Sequence, residues 1–373
     1  MKDGAPSIGQ RVAEIDTPAL VVDLDAMARN IATLAGYARR HGLRLRPHAK
    51  THKSAWIAGL QIEAGAVGVC VQKTSEAEAL VDGGVGNVLI TNEVIDAAKL
   101  TRVAALARRC ALAIAVDSEA GIDGLAAALR TAGSDLEIFV EIDVGQGRCG
   151  ALASRAGVLA RRVVDAGLRF AGLQAYHGRA QHLRSSAERE AAIGQAAACV
   201  REALAAIAAH GLDCPLVTGA GTGSFVNEAA SGLWGELQPG SYVFLDRDYA
   251  DNAPSVGAPV FEHALFVKSQ VISRADDRAI VDAGHKCHAI DSGLPGVWGR
   301  ADLAFGNGGD EHGILRARDA SALLPALGEA VWLLPGHCDP TVNLHDALVG
   351  LRGGLAHGHV ERLIRVDARG CLS

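Results

Sequence analysis

Arg46-Pro47-His48-Ala49-Lys50-Thr51-His52-Lys53 is the stretch on which the reading of this chain turns. A short apolar run, Leu43 to Arg46, delivers a lysine flanked by two histidines, and residues 54–64 follow with helical character. A lysine at the C-terminal end of a strand, just ahead of a helix, is where an α/β barrel presents its chemistry. Held among polar neighbours in a cleft, such a lysine can lose its proton and condense with an aldehyde. Taken alone, the same stretch equally describes a surface lysine in a loop.

Outward from it the sequence alternates regularly. Strand-like runs fall at 43–46, 67–71, 87–91, 112–117, 137–143, 170–176, 216–218 and 235–237. Helix-like segments lie between them, at 54–64, 75–81, 96–108, 119–132, 152–166, 186–209 and 223–230. Upstream, residues 17–25 read as a strand, with Asp25 as N-cap of a helix from Ala26 to His41. The runs are short and nearly uniformly apolar, as in a parallel sheet buried on both faces. Eight of them in about 220 residues match a closed (β/α)8 barrel rather than an open sheet.

Beyond about residue 245 the long helical patterns stop. Residues 263–274, 279–282, 330–334 and 360–366 are β-like, separated by Gly, Pro and Asp. The expected architecture is α/β: a TIM-type barrel over residues 25–245, with a mostly β second domain from residues 1–24 and 246–373.

Composition fits that size. The chain has 373 residues, 49% hydrophobic and 21% charged, as a soluble globular enzyme would. A net charge of −6 without any basic run gives no footing for nucleic acid. No uninterrupted apolar stretch approaches about 20 residues, so no membrane span is expected. Residues 1–10 lack the apolar core of a signal peptide. The eight cysteines are scattered with no Cys-x-x-Cys pair, which suits a reducing cytoplasm.

The strand ends carry Lys50 and His52, then Gln72 and Lys73, Asn92, Asp117, Asp143 with Arg148, Tyr176 with His177, and a glycine loop at Gly219. That loop, Thr218-Gly219-Ala220-Gly221-Thr222-Gly223-Ser224, offers backbone amides to an anion at the position where barrels hold phosphate. Without a nucleotide motif nearby, a phosphorylated cofactor is the natural guest. The run Gly145 to Gly150 is formally G-x-G-x-x-G. A dinucleotide site would use that motif in the first βα unit, and here four units precede it. Arg148 within it is instead a donor aimed at the barrel mouth. A third constellation is Gly336-His337-Cys338-Asp339, after the apolar run 331–334. In an extended chain His337 and Asp339 face one side and Cys338 the other. An imidazole with a carboxylate suits a divalent ion with open positions, or else forms a hydrogen-bonded pair in a turn.

Residues 17–54, Glu141 to Gly150, Tyr176-His177-Gly178, Thr218 to Ser224 and Gly336 to Asp339 resemble the D-threonine aldolase and D-serine dehydratase family. These are pyridoxal-phosphate enzymes of the alanine-racemase fold type. The resemblance covers most of the chain, and residues 48–53 and 336–339 are its most specific parts. It implies a barrel that binds pyridoxal 5'-phosphate, a β domain, and a homodimer with active sites near the interface. It also implies a divalent metal, Mn²⁺ first, with Mg²⁺, Co²⁺ or Zn²⁺ as alternatives. Lys50 would join the cofactor as a Schiff base, with Lys73 the second choice. Arg148 would approach the pyridine nitrogen, and Tyr176 would lie beside the ring. Thr218, Gly219, Gly221, Thr222 and Gly223 would hold the phosphate, with Tyr242. His337 and Asp339 would hold the metal.

Within the family the dehydratases share a His-x-Cys pair and the aldolases a His-x-Asp pair. This chain is His-x-Asp, with Cys338 one place early. The resemblance therefore implies retro-aldol cleavage of a β-hydroxy-D-amino acid, D-threonine-like or 3-hydroxy-D-aspartate, to glycine and an aldehyde. His182 is the first candidate for the base on the β-hydroxyl, ahead of His177 and a metal-bound water. His177 packed against the cofactor ring is the competing role for that residue. The alternatives are a dehydratase releasing a keto acid and ammonia, and a pyridoxal-phosphate-binding protein without catalysis. The segment 331–346 argues against the second. A racemase needs an opposing base, and no tyrosine matches that role.

Overall fold

The computed structural model describes residues 6–373. The chain enters through β1 (Ala19–Asp23) and α1 (Leu24–Arg40). The strands β2 (Arg44–Leu45), β3 (Val69–Val71), β4 (Asn87–Ile90), β5 (Ala111–Val116), β6 (Glu137–Glu141), β7 (Arg169–Ala175), β8 (Val217–Gly219) and β9 (Glu236–Leu237) follow. Between them run α2 (Ala55–Glu63), α3 (Thr74–Asp82), α4 (Ala97–Leu106), α5 (Glu119–Ala132), α6 (Ala156–Asp165), α7 (Ser186–Ala209) and α8 (Phe225–Ser231).

The eight strands from β2 to β9 form one sheet in the order β2-β9-β8-β7-β6-β5-β4-β3, each pair parallel. The two ends of that path meet. Val67 N donates to Leu45 O at 2.9 Å, Cys70 N to Pro47 O at 2.8 Å and Ala49 N to Cys70 O at 2.8 Å. These bonds close the ring through the irregular chain after β2, the segment that leads to Lys50. Valine, isoleucine and leucine from the strands and the inner helix faces fill a continuous core, including Val69, Ile90, Ile114, Ile138 and Leu173.

The start of α1 differs from the sequence reading. Asp23, not Asp25, is the N-cap: its Oδ1 accepts from Asp25 N at 3.0 Å and Ala26 N at 3.1 Å. The strand ends two residues earlier than the apolar pattern suggests, so the helix begins earlier too. Asp25 is left free to accept from Arg352 and from Gly353 N, tying the barrel to the other sheet. The helix expected at 223–230 likewise begins only at Phe225, so the glycine run is a loop rather than a first helical turn.

By length and composition alone α7 would pass for a membrane-crossing helix. Here Ile193, Ala196, Ala197, Val200, Ala203 and Ile207 bury one face of it in the barrel core.

The second sheet contains β10 (Leu265–Arg274), β11 (Ala279–Val281), β12 (Gly296–Val297), β13 (Leu303–Asn307), β14 (Gly313–Ala317), β15 (Ala330–Leu334), β16 (Ala347–Arg352) and β17 (His359–Arg365). Its main path is β13-β14-β11-β10-β1-β16-β17, with β15 pairing β10 and β12. The first strand, β1, lies between β10 and β16, antiparallel to one and parallel to the other. Strands β13, β14 and β16 were not evident in the sequence, because glycines and charges interrupt their apolar pattern. The loop after β15 carries the chain back over the barrel mouth.

Candidate active site

Lys50 is presented by a tight turn. Lys53 N donates to Ala49 O at 2.7 Å, and Lys53 adopts a left-handed conformation at φ 51°. The turn is anchored from below by Lys53 Nζ on Glu76 Oε1 at 2.6 Å. A cavity of about 370 Å³ opens at the C-terminal ends of the barrel strands, and Lys50 lines it. His48, Gln72, Lys73, Asn92, Arg148 and Tyr176 also line it, each from a strand end.

Part of the lining is built of backbone. Ala220, Gly221 and Thr222 after β8, and Gly240 and Ser241 after β9, face the cavity. A Cβ on Gly221 would lie 2.5 Å from Gln181 Oε1, and one on Gly240 would lie 2.7 Å from Thr51 Oγ1. A side chain at either position would press on its neighbours, which favours glycine at both. Ala220 is left-handed at φ 69°, a strained conformation for a residue with a side chain.

The rest of the glycine run is used differently from expectation. Gly223 N already donates to Gln181 Oε1 at 2.9 Å. Gly219 belongs to β8, and Thr218 points into the buried network with Glu236 Oε1 at 2.9 Å. Tyr242 lies in the core, where its hydroxyl accepts from Gln61 Nε2 at 3.0 Å. Its backbone N, bonded to Thr222 Oγ1 at 3.1 Å, is its closest approach to the loop. Gly240 and Ser241 were missed, although Pro239-Gly240-Ser241 directly after the eighth strand was the available signal.

Several strand-end residues do not reach the cavity. His52 is fully buried, with Ser54 N donating to its Nδ1 at 3.1 Å and its Nε2 3.2 Å from Gln61 Oε1. Burial pushes its pKa down to about 4, so it is a neutral core histidine. Asp143 accepts from Gly145 N at 2.9 Å and Gly147 N at 3.0 Å. The G-x-G-x-x-G run thus closes on the chain's own carboxylate, and no nucleotide is needed to explain it. Asp117 Oδ2 accepts from Gly150 N at 3.2 Å and closes the far end of that loop. The loop delivers Arg148 to the cavity, where its guanidinium carbon lies 5.8 Å from the centre of the Tyr176 ring.

The two candidate bases lie outside the cavity lining. His177 is buried against Gly145 and lacks a hydrogen bond at Nδ1. His182 is half-exposed, with Nδ1 2.5 Å from Asp248 Oδ2. Its ring centre is 5.5 Å from that of Tyr249, which does line the cavity. Burial raises the Asp248 pKa, but hydrogen bonds from His182 and Arg184 outweigh this and hold it at about 2. Asp248 belongs to the short helix α9 (Arg247–Ala250), whose Asp248 N donates to Gly336 O at 3.2 Å. His182 is thereby tied to the rim that carries His337.

His337 and Asp339 do meet, but not by strand alternation. His337 is the extended N-cap of α10 (Cys338–Asn343), and Asp339 lies in that helix's first turn. His337 Nε2 is 4.0 Å from Asp339 Oδ1. His337 Nδ1 lies 2.7 Å from Asp291 Oδ2, which orients the ring with Nε2 toward Asp339. Cys338 is fully buried, and its backbone N donates to Asp246 Oδ2 at 2.9 Å. Burial also keeps its thiol well above the ordinary range, so it is no ligand. Asp339 Oδ2 holds the Lys50 ammonium. Burial works against ionisation of Asp339, yet Lys50 and His337 draw its pKa well below the usual carboxylate range. Among the described residues no three His, Cys, Asp or Glu side chains converge to hold an ion, so this site is a pair.

The chain matches the model of the "Alanine racemase, N-terminal domain" over residues 22–248 and that of the "Putative serine dehydratase domain" over residues 264–351. A 3-hydroxy-D-aspartate aldolase of Paracoccus denitrificans (strain Pd 1222) is 44% identical over 97% of this chain and 94% of its own length. A D-threonine aldolase of Arthrobacter sp is 42% identical over 97% of this chain and 95% of its own. The crystal structure of D-threonine aldolase from Filomicrobium marinum superposes with a TM-score of 0.95 at 48% identity, each chain covered completely. A D-threo-3-hydroxyaspartate dehydratase of Delftia sp. (strain HT23) stands further off, 34% identical over 88% of this chain and 92% of its own. The chain belongs to the alanine-racemase-like family, among the D-threonine and 3-hydroxy-D-aspartate aldolases.

Proposed function

We propose that the protein is a lyase that cleaves β-hydroxy-D-amino acids between Cα and Cβ, releasing glycine and an aldehyde. One observation carries the reading: Lys50, which lines the cavity, is paired with Asp339, and Asp339 in turn lies 4.0 Å from His337. The residues present fit both implied groups. The backbone of Gly221, Thr222, Gly240 and Ser241 lines the same cavity as Lys50 and suits a phosphate. Asp339 already holds one cation and lies beside an imidazole oriented by Asp291, a donor set for a divalent ion, Mn²⁺ foremost. When bound, pyridoxal phosphate supplies an electron sink for the Cα carbanion, and the ion acidifies the β-hydroxyl.

The chain's own residues do the rest. Lys50 would hold the cofactor. Gly221, Thr222, Gly240 and Ser241 would hold its phosphate with neutral donors. Arg148 lines the cavity beside Tyr176 and would approach the pyridine nitrogen. His337 and Asp339 would hold the ion that acidifies the β-hydroxyl. His182 accepts the β-hydroxyl proton, and Asp248 fixes its ring. His177 faces the Asp143 loop and serves packing. Exposed Trp298, Leu294 and Ile290 near the metal pair's loop support a homodimer, and eight unpaired cysteines support a reducing, cytoplasmic setting.

Product analysis tests the reaction. Holoenzyme with Mn²⁺ is given D-threonine, L-threonine, D-serine and 3-hydroxy-D-aspartate. Glycine and an aldehyde from the D-β-hydroxy substrates support the reading. Keto acid and ammonia would move the chain to dehydratase chemistry.

A further inference from the structure

Behind Arg148 lies a pair of acidic side chains that the proposed reaction does not use. Glu141 ends β6 and is buried, and its Oε2 has no hydrogen-bond partner. Glu93 follows β4, and both its carboxylate oxygens are buried without a partner. Arg148 Nη2 stands 4.0 Å from Glu141 Oε1, too far for a close ion pair. The cluster sets one cation beside Glu141, and Glu93 lies within hydrogen-bonding reach of Glu141.

Two adjacent carboxylates shut off from water cannot both carry a charge without large cost. Two neutral acids would leave Arg148 without a counter-charge. A single proton between them meets both requirements: one carboxyl donates to the other, which satisfies oxygens that otherwise have no partner. Burial and the neighbouring Glu93 both push the Glu141 pKa upward, against a smaller pull from Arg148, and Asp117 adds to the upward push. The Cys149 thiol is raised to about 11 by burial and by Glu93, so it stays neutral and adds no charge.

We propose that Glu93 and Glu141 share one proton and act as positioning residues for Arg148, holding a single negative charge behind its guanidinium. The Tyr176 ring centre lies 5.8 Å from the guanidinium carbon, and Glu141 of the acid pair stands 4.0 Å from Nη2. The remaining donors of Arg148 are presented to the cavity. Loss of the shared proton doubles the charge behind Arg148, draws the guanidinium back and weakens its contact with the cofactor that the cavity would hold. That consequence rests on the cofactor and reaction proposed above; the shared proton does not.

Infrared difference spectroscopy of the holoenzyme, titrated from neutral to alkaline pH, tests the pair. The expected result is one protonated carboxylic-acid carbonyl band that disappears at alkaline pH. ¹³C-glutamate labelling of the unaltered protein should shift the band and assign it without any substitution. The band should be missing from Glu141→Gln and from Glu93→Gln. In parallel, the dissociation constant for pyridoxal phosphate should rise more steeply with alkaline pH in wild type than in Glu93→Gln, whose carboxamide cannot ionise. Absence of a glutamate carboxylic-acid band in the wild-type protein overturns the proposal, as does an identical pH dependence of cofactor affinity in Glu93→Gln. A protein that shows the band yet cleaves no β-hydroxy-D-amino acid would refute the reaction and leave the acid pair standing.

Discussion

Lys50 and Asp339 are 289 residues apart in sequence and form an ion pair, with the ammonium on the carboxylate's Oδ2. One partner comes from the first strand of the barrel and the other from the helix that the second sheet swings over its mouth. Burial lowers the lysine's pKa, but the Asp339 charge outweighs it and raises the pKa overall. While the pair lasts, Lys50 is an ammonium and no nucleophile. A metal ion that claims Asp339 removes the lysine's counter-charge, so the two implied groups are linked through one carboxylate.

Chelation separates the two roles. Holoenzyme stripped of metal should lose aldol cleavage, since nothing else beside His337 acidifies the β-hydroxyl, while cofactor absorbance persists because Lys50 is untouched. Asp339→Ala and His337→Ala should behave alike and resist rescue by added Mn²⁺. Full turnover in metal-free enzyme would show that the pair does not serve a cation.

Asp291 orients His337 without reaching the cavity itself. Asp291→Asn should weaken Mn²⁺ binding by about 10–100-fold, as loss of a carboxylate behind a metal-binding histidine does elsewhere. Calorimetric titration measures it, and an unchanged dissociation constant would mean that His337 needs no such support.

His182 and His177 are distinguished by position. His182 is tied through Asp248 to the rim of the metal pair, while His177 is packed against Gly145. His182→Asn should lower kcat by about 10²–10⁴-fold with little change in cofactor affinity. His177→Asn should act through stability more than through kcat. The reverse pattern in steady-state kinetics would assign the base to His177.

Neutral burial of His52 sets an acid limit. Its pKa falls from 6.5 to about 4 on folding, so the unfolded chain takes up the proton first as pH drops. The contribution is intact above pH 6.5 and is lost progressively down to about 4, amounting to about 3 kcal/mol. His48, lowered by burial and then by Lys50, adds a loss of the same sign. Urea melts across this range should show less acid sensitivity in His52→Gln than in wild type.

The barrel was legible in the sequence because parallel strands buried on both faces leave uninterrupted apolar runs, and α5 and α7 fall on the residues their patterns indicate. Lys50, Arg148 and Tyr176 were legible as polar residues where such runs end. What stayed hidden depends on closure in space. His52 and Asp143 also follow strands, and only packing turns one into the core and the other onto its own loop amides. The sequence suggests that strand alternation puts His337 and Asp339 on one side, whereas a helix N-terminus rather than an extended chain brings them near each other. Glu93 and Glu141 gave no signal, because their strands are two positions apart in the ring. Strands β13, β14 and β16 were missed where glycine and arginine break the alternation.

The most direct test of the account is to reduce the holoenzyme with borohydride and map the cofactor-bearing peptide. The arrangement predicts a single pyridoxyl group on Lys50, and no stable attachment in Lys50→Ala. A label on Lys73, the other lysine lining the cavity, would contradict it and leave the Lys50–Asp339 pair a structural contact.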